Sequence, residues 1–178
     1  MAWSDLATEF FKFLNQFTLK PSKEIKKVVK IYDEMHKVLD ETDVQRMLVI
    51  KAHNGGGLIR PSTQLYVSVL YEDYTVPFKS VKEEYQKLPV DSEYLRMMSI
   101  LCEQKSVKLI PKEMRPGILK EIYTTEGVQY AEIYFLGQDR KNLYFVSLAT
   151  AWEKGWDKNP GQSLIVKLAV NTLKNNIF

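Results

Sequence analysis

One cysteine, two histidines and no long apolar run set the first limits on this chain of 178 residues. With Cys102 alone, neither an intrachain disulfide nor a cysteine-rich zinc site can form. That thiol stands in the apolar stretch LRMMSILCEQ, where a cysteine acts as a small core filler. His36 and His53 fit neither H-x-x-x-H nor H-E-x-x-H spacing, and the chain has no Walker lysine-serine pair, no G-x-G-x-x-G and no nucleophile elbow. The expectation is a non-enzymatic protein with no metal site and no cofactor that the sequence can name. No apolar run approaches the ~18 residues of a membrane span. The first residues include Asp5 and Glu9 and no cationic leader, so the expected location is cytoplasmic.

Net charge is also small. A formal balance of +3 is too small, and too interleaved with acid, to mark a nucleic-acid partner. The one basic cluster, Lys23, Lys26, Lys27 and Lys30 in KEIKKVVK, reads as a solvated helix face. Hydrophobic residues at 45% are enough for a globular core, and the length suits one domain with a short appendage.

That appendage comes first. In WSDLATEFFKFLNQF, the residues Trp3, Leu6, Phe10, Phe13, Leu14 and Phe17 recur at helical spacing. The spacing predicts an amphipathic helix over 3–17, in a segment 1–20 separate from a domain over 21–178. Its aromatic stripe needs a cover: the domain itself, a partner protein or a membrane surface.

Beyond Pro21, apolar spacing predicts a helix over 22–41, with Ile25, Val28, Val29, Tyr32, Met35 and Leu39 on one side. RMLVIKAH is apolar on both parities, which suits a central strand, and QLYVSVLYEDY alternates as a second strand. SVKEEYQKLP reads as a short helix and DSEYLRMMSILCEQKS as a longer one capped by Asp91 or Ser92. VKLIP is a short edge strand, and RPGILKEIYTTEG another helix with proline early and glycine late. VQYAEIYFLGQDRKNLYFVSLAT forms a β-hairpin, and QSLIVKLAVNTLKNN closes the chain as a helix over 161–177. In that last helix, Leu164, Ile165, Leu168, Ala169 and Leu173 line one side. The order predicts an α+β fold: a single antiparallel sheet of about five strands with the terminal helices on one face.

A hairpin symmetric about GQDRKN would pair Tyr130 with Ala149, Glu132 with Ser147 and Tyr134 with Phe145. Its other face, Ala131, Ile133, Phe135, Tyr144, Val146 and Leu148, would then pack beneath the terminal helices. In the second strand Tyr66 and Ser68 share a similarly mixed face. An apolar surface with a few polar groups suits a small-molecule pocket, lined by Tyr66, Ser68, Tyr130, Glu132, Tyr134 and Ser147. The plainer alternative is a half-covered face on which Lys51 pairs with Glu72 or Glu132.

HNGGGLIRPS, between the first two strands, admits two readings. Three consecutive glycines can expose backbone N–H groups to an anion, with His53, Asn54 and Arg60 at the pocket mouth. They can equally supply the positive φ angles of a turn. A phosphate loop leads from a strand into a helix, whereas this one leads into another strand.

The element order, with the strand pairs RMLVIKAHNGGG/QLYVSVLYEDY and AEIYFLGQ/NLYFVSLAT, resembles the GAF domain family. The resemblance implies a GAF/PAS-like sheet with a ligand pocket on the face away from the terminal helices. It also implies self-association through the helices at 22–41 and 161–177. The chromophore-attaching cysteine of photoreceptor members and the multi-cysteine centre of the sulfoxide-reductase branch have no counterpart. The HNGGG turn also resembles small phage-encoded proteins of this type, which would make the chain virion-associated. Two functions stay open: a dimeric GAF-like binding or regulatory module, and an assembly protein with a degenerate pocket and a docking helix at 3–17.

Overall fold

Ser22 opens the first helix, α1 (Lys23–Glu41), by accepting the Ile25 N–H on its hydroxyl at 3.2 Å. The computed structural model describes residues 22–58, 60 and 63–177. The expected helix over 3–17, and with it the boundary between 1–20 and 21–178, lies outside the described residues. The strands are β1 (Arg46–His53), β2 (Tyr66–Tyr74), β3 (Leu88–Pro89), β4 (Ser106–Leu109), β5 (Tyr130–Gln138) and β6 (Asn142–Thr150). Between them run α2 (Ser92–Gln104) and α3 (Ile118–Thr125), and α4 (Pro160–Ile177) closes the fold.

Among the described residues the sheet has six strands in the order β3-β2-β1-β6-β5-β4, every neighbouring pair antiparallel. The expected count was about five; the extra strand is β3, inside the stretch read as a helix over 80–89. That stretch is a hydrogen-bonded turn instead. The Glu72 carboxylate accepts from the N–H groups of Val81 and Lys82 and from the Ser80 hydroxyl. Tyr85 returns to β2 by accepting the Val69 N–H on its carbonyl. These tertiary acceptors outweigh a weak local helix signal. Glu72 therefore organises a turn rather than pairing with Lys51.

The sheet separates two cores. On one face, Met47, Val49, Val146 and Leu148 pack beneath α1 and α4, meeting Met35, Val38, Val166 and Leu173. On the other, Leu48, Ile50, Val67, Ile133 and Phe145 meet α2 and α3 through Tyr94, Leu101, Leu119 and Tyr123. The terminal helices do share one face, and Met35, Leu39, Ala169 and Leu173 are buried there as expected, but the rest of each buried side differs. In α1 the buried residues are Ile31, Met35, Val38 and Leu39, while Ile25 and Val29 are exposed. In α4 they are Val166, Ala169, Val170 and Leu173, leaving Leu164 and Leu168 outside.

The hairpin register also differs from the symmetric one. Tyr130 pairs with Thr150, Glu132 with Leu148 and Tyr134 with Val146; a bulge then sits between Phe135 and Gly137. The loop is shorter than GQDRKN, because Asp139 closes it by accepting the Lys141 and Asn142 N–H groups at 2.7 and 2.8 Å. Donation from the Asn142 side chain, followed by these backbone bonds, lowers the Asp139 carboxyl to about 2. A one-residue change of register exchanges the faces of one strand relative to its partner. Tyr130, Glu132 and Tyr134 therefore lie with Val146 and Leu148 under α1 and α4. Ala131, Ile133 and Phe135 lie with Phe145 and Ser147 on the opposite side.

Candidate functional site

The residues expected to line one pocket fall into three groups, of which the second and third reach the same chamber through Ser68 and Ser147. Tyr130 and Tyr134 both donate their hydroxyls to Glu132, which is 4% exposed, and Tyr130 stands edge-on to Trp156 with ring centroids 5.0 Å apart. Gly155 seals this packing: a Cβ there would come within 2.4 Å of the Tyr130 ring. Burial, then donation to Glu132, raises both phenols above their ordinary range, so they stay protonated. This is a closed structural cluster on the terminal-helix side. It is not a pocket wall.

The second group is His53, Tyr66 and Ser68, where β1 runs into the glycine loop. His53 Nδ1 accepts the Gly55 N–H at 3.1 Å, which places the ring proton on Nε2, 2.9 Å from Ser68 Oγ. Ser68 Oγ also takes the Lys87 N–H at 2.9 Å. Burial, with Lys51 and Lys87 adding to it, lowers the imidazole and favours its neutral form. A serine nucleophile needs a histidine that accepts its proton; here the imidazole donates to the serine instead. The Tyr66 ring lies 6.2 Å from that of His53.

The glycines themselves turn the chain. Gly55 and Gly56 have φ of +82° and +123°, and the Asn54 amide donates to the Leu58 carbonyl. Arg60, its N–H and carbonyl both engaged with Thr63, lines a cleft with Gln64, Leu65 and Leu95 whose lining does not include His53. Alanine at Gly55 or Gly56 meets no neighbouring atom but forces a left-handed backbone, so each change is expected to cost about 1–2 kcal/mol. Gly57, whose φ is not in that region, should tolerate alanine. Urea denaturation of the three single variants checks this, and equal losses at all three positions would contradict it.

The third group belongs to the face away from α1 and α4. Ser147 Oγ sits 3.0 Å from the Tyr123 hydroxyl, both buried beneath α3. They line a chamber walled by Leu48, Ile50, Val67, Val69, Leu119 and Ile133. Its volume is about 30 Å³, room for a water or two and no more. The expectation of a hollow face is corrected here: large side chains such as Tyr94 and Tyr123 fill it.

At the edge of that chamber lies a group the sequence reading missed. Arg46, 1% exposed, opens β1 on this face; its guanidinium pairs through Nη2 with Glu126 and lies 4.5 Å over the Phe78 ring. Tyr85 donates its hydroxyl to the same carboxylate, and burial and that bond both raise the phenol. Arg46 Nε has no hydrogen-bond partner among the described residues, an unusual state for a buried donor. Arg46, Phe78, Tyr85 and Glu126 also line an outer cleft of about 400 Å³. The available signal was a charged residue heading the apolar run 47–50 of the central strand. Chemically, the group offers a directional N–H donor beside an aromatic ring and an apolar chamber.

Among the described residues no cluster of histidine, cysteine and carboxylates could hold a metal ion, and no helix is long and apolar enough to cross a membrane. No family model matches the chain, and no curated protein sequence does. Solved structures do resemble it. A far-red cyanobacteriochrome photoreceptor superposes with a TM-score of 0.58 at 12% identity, over 97% of each chain. The GAF domain of a two-component sensor histidine kinase from Bacillus halodurans gives 0.56 at 11%, over 83% of this chain and 90% of that one. The phycoerythrobilin-bound GAF domain of a cyanobacterial phytochrome gives 0.54 at 11%, over 88% and 92%. The likeness is one of fold: the chain has a GAF-like fold. Nothing in these likenesses supports a viral origin.

Proposed function

We propose that this chain is a non-enzymatic GAF-like module that binds a small molecule at the Arg46 cleft and acts in regulation as a dimer. The observation that carries the reading is the buried Arg46 guanidinium, with Nε unpaired, at the junction of cleft and chamber. A ligand carbonyl or carboxylate accepting from Nε would satisfy that donor while its apolar part meets Phe78. The residues do not fit a bilin of the kind in the phytochrome neighbour. The chamber is far too small, and Cys102 is packed against the core from α2. The donor direction at Ser68 favours binding over nucleophilic catalysis at that serine.

Self-association is part of the proposal. Ile25 and Val29 on α1 and Leu164 and Leu168 on α4 are each more than half exposed. A second copy would cover such apolar side chains.

One observation favours a different reading, an interaction or assembly protein with a degenerate pocket: the chamber is almost filled. A thermal-shift screen of nucleotides and small carboxylates on the full chain separates the two. Binding at Arg46 predicts a rise in melting temperature for at least one compound, lost in Arg46→Met. No shift with any compound, together with loss of self-association or vesicle binding when residues 1–20 are deleted, selects the assembly reading.

A further inference from the structure

Away from Arg46, a groove of about 150 Å³ opens where α2 and α3 meet the edge strand β4. Its floor is Met97, Val107, Leu109, Met114 and Leu119. Its rim is charged: Arg96, Arg115 and Lys120 against the single carboxylate of Glu93. We propose that this groove binds a single-ring apolar group that carries a carboxylate.

Three features commit the occupant. The first is size and lining: an apolar space of about 150 Å³ is what admits a benzene-sized guest. Two methionines in the floor can adapt to a ring, since thioether chains are flexible and pack well against aromatic edges. The second is charge. Three cations face one carboxylate, so the rim is complementary to an anion.

The third is that the cations are available. Arg115 is exposed and has no hydrogen-bond or ion-pair partner among the described residues. Arg96 meets only Glu93, at 3.8 Å with 58% of its side chain exposed. Lys120 Nζ donates to the Met114 carbonyl at 2.7 Å, which holds the ammonium at the groove and leaves its other N–H bonds for a guest. An arginine fork left open in this way takes a carboxylate with two parallel hydrogen bonds. The groove shares Leu119 with the inner chamber but none of Arg46, Tyr85 or Glu126. It is therefore a second place of binding, independent of the first.

The test titrates the full chain, carrying labelled methionine methyl groups, with 3-phenylpropionate and with its uncharged analogue 3-phenylpropanol. Saturable shifts at Met97 and Met114 with the carboxylate are expected. In Arg96→Gln/Arg115→Gln, whose side chains are exposed, phenylpropionate affinity should fall about tenfold or more, with phenylpropanol unchanged. No saturable shift by about 10 mM, shifts confined to other methionines, or equal loss of both compounds in the double variant would each overturn the proposal. Arg46→Met should leave this binding intact.

Discussion

Glu126→Ala is expected to destabilise the fold by about 3–5 kcal/mol, because it strands a buried guanidinium. Arg46 is 1% exposed, and among the described residues Glu126 is the one carboxylate paired with it. Removing that charge also leaves the Tyr85 hydroxyl without its acceptor. The Phe78 ring still covers one face of the guanidinium, but a cation–π contact contributes only about 0.5–2 kcal/mol. For a chain of this length the loss corresponds to a fall in melting temperature of roughly 10 °C.

The informative companion is Arg46→Met/Glu126→Leu, which removes both charges and keeps an apolar filling. Such replacements are often neutral or stabilising by about 1–4 kcal/mol. Adding Tyr85→Phe would relieve the orphaned hydroxyl as well. If the double variant were as unstable as Glu126→Ala, the stability would lie in packing at this corner and the charge argument would fail. Recovery of stability without recovery of ligand-induced thermal shift would place Arg46 in binding rather than in folding.

The second large effect is expected at Asp91, a residue that caps two helices at once. Oδ1 accepts the Tyr94 N–H at the start of α2 at 2.8 Å. Oδ2 accepts the Ile118 N–H at the start of α3 at 2.7 Å. Each helix start leaves unpaired N–H donors, and losing one cap costs about 0.5–2 kcal/mol. Asp91→Ala should therefore cost about 2–3 kcal/mol in urea denaturation, near the sum of two caps. Asp91→Asn keeps one acceptor and turns an N–H donor toward the other helix, so it should fall between wild type and alanine. Amide exchange at Tyr94 and Ile118 gives the local check: both should accelerate in the alanine variant. Acceleration at Tyr94 alone would mean that α3 does not depend on this carboxylate. Gly117 belongs to the same arrangement, since a Cβ there would come within 2.8 Å of Asp91 Oδ2.

The sequence made the elements legible and left their faces ambiguous. Apolar periodicity located the bounds of α1 and β1 almost to the residue, although α1 buries only the part of its stripe beyond Lys30. Asp91 was equally visible as a cap for α2; its second role, at Ile118, lies 27 residues away and leaves no local signal. The hairpin was found, but its register was not, because a loop closed by Asp139 and a bulge near Leu136 cannot be read from apolar and polar alternation alone. That one-residue difference carried Tyr130, Glu132 and Tyr134 from the expected pocket to the packed side. Arg46 escaped notice for a related reason. A charge at a strand's first position looks like a boundary, and only the fold brings Glu126 and Tyr85 to it across the sheet.

The bulge near Leu136 has a consequence for how this chain could change over time. Without the extra residue, an uninterrupted ladder would force the Tyr130–Tyr134 half of β5 and the Gln138 end to choose opposite sides of the sheet for one set of neighbours. A deletion there would therefore not trim the hairpin quietly. It would ask three interlocked groups, two phenols and the acid they share, to trade shelter with small aliphatic residues in a single step. A lineage carrying this hairpin would be expected to vary freely at the tip, Arg140 and Lys141, and to keep its residue count near Leu136.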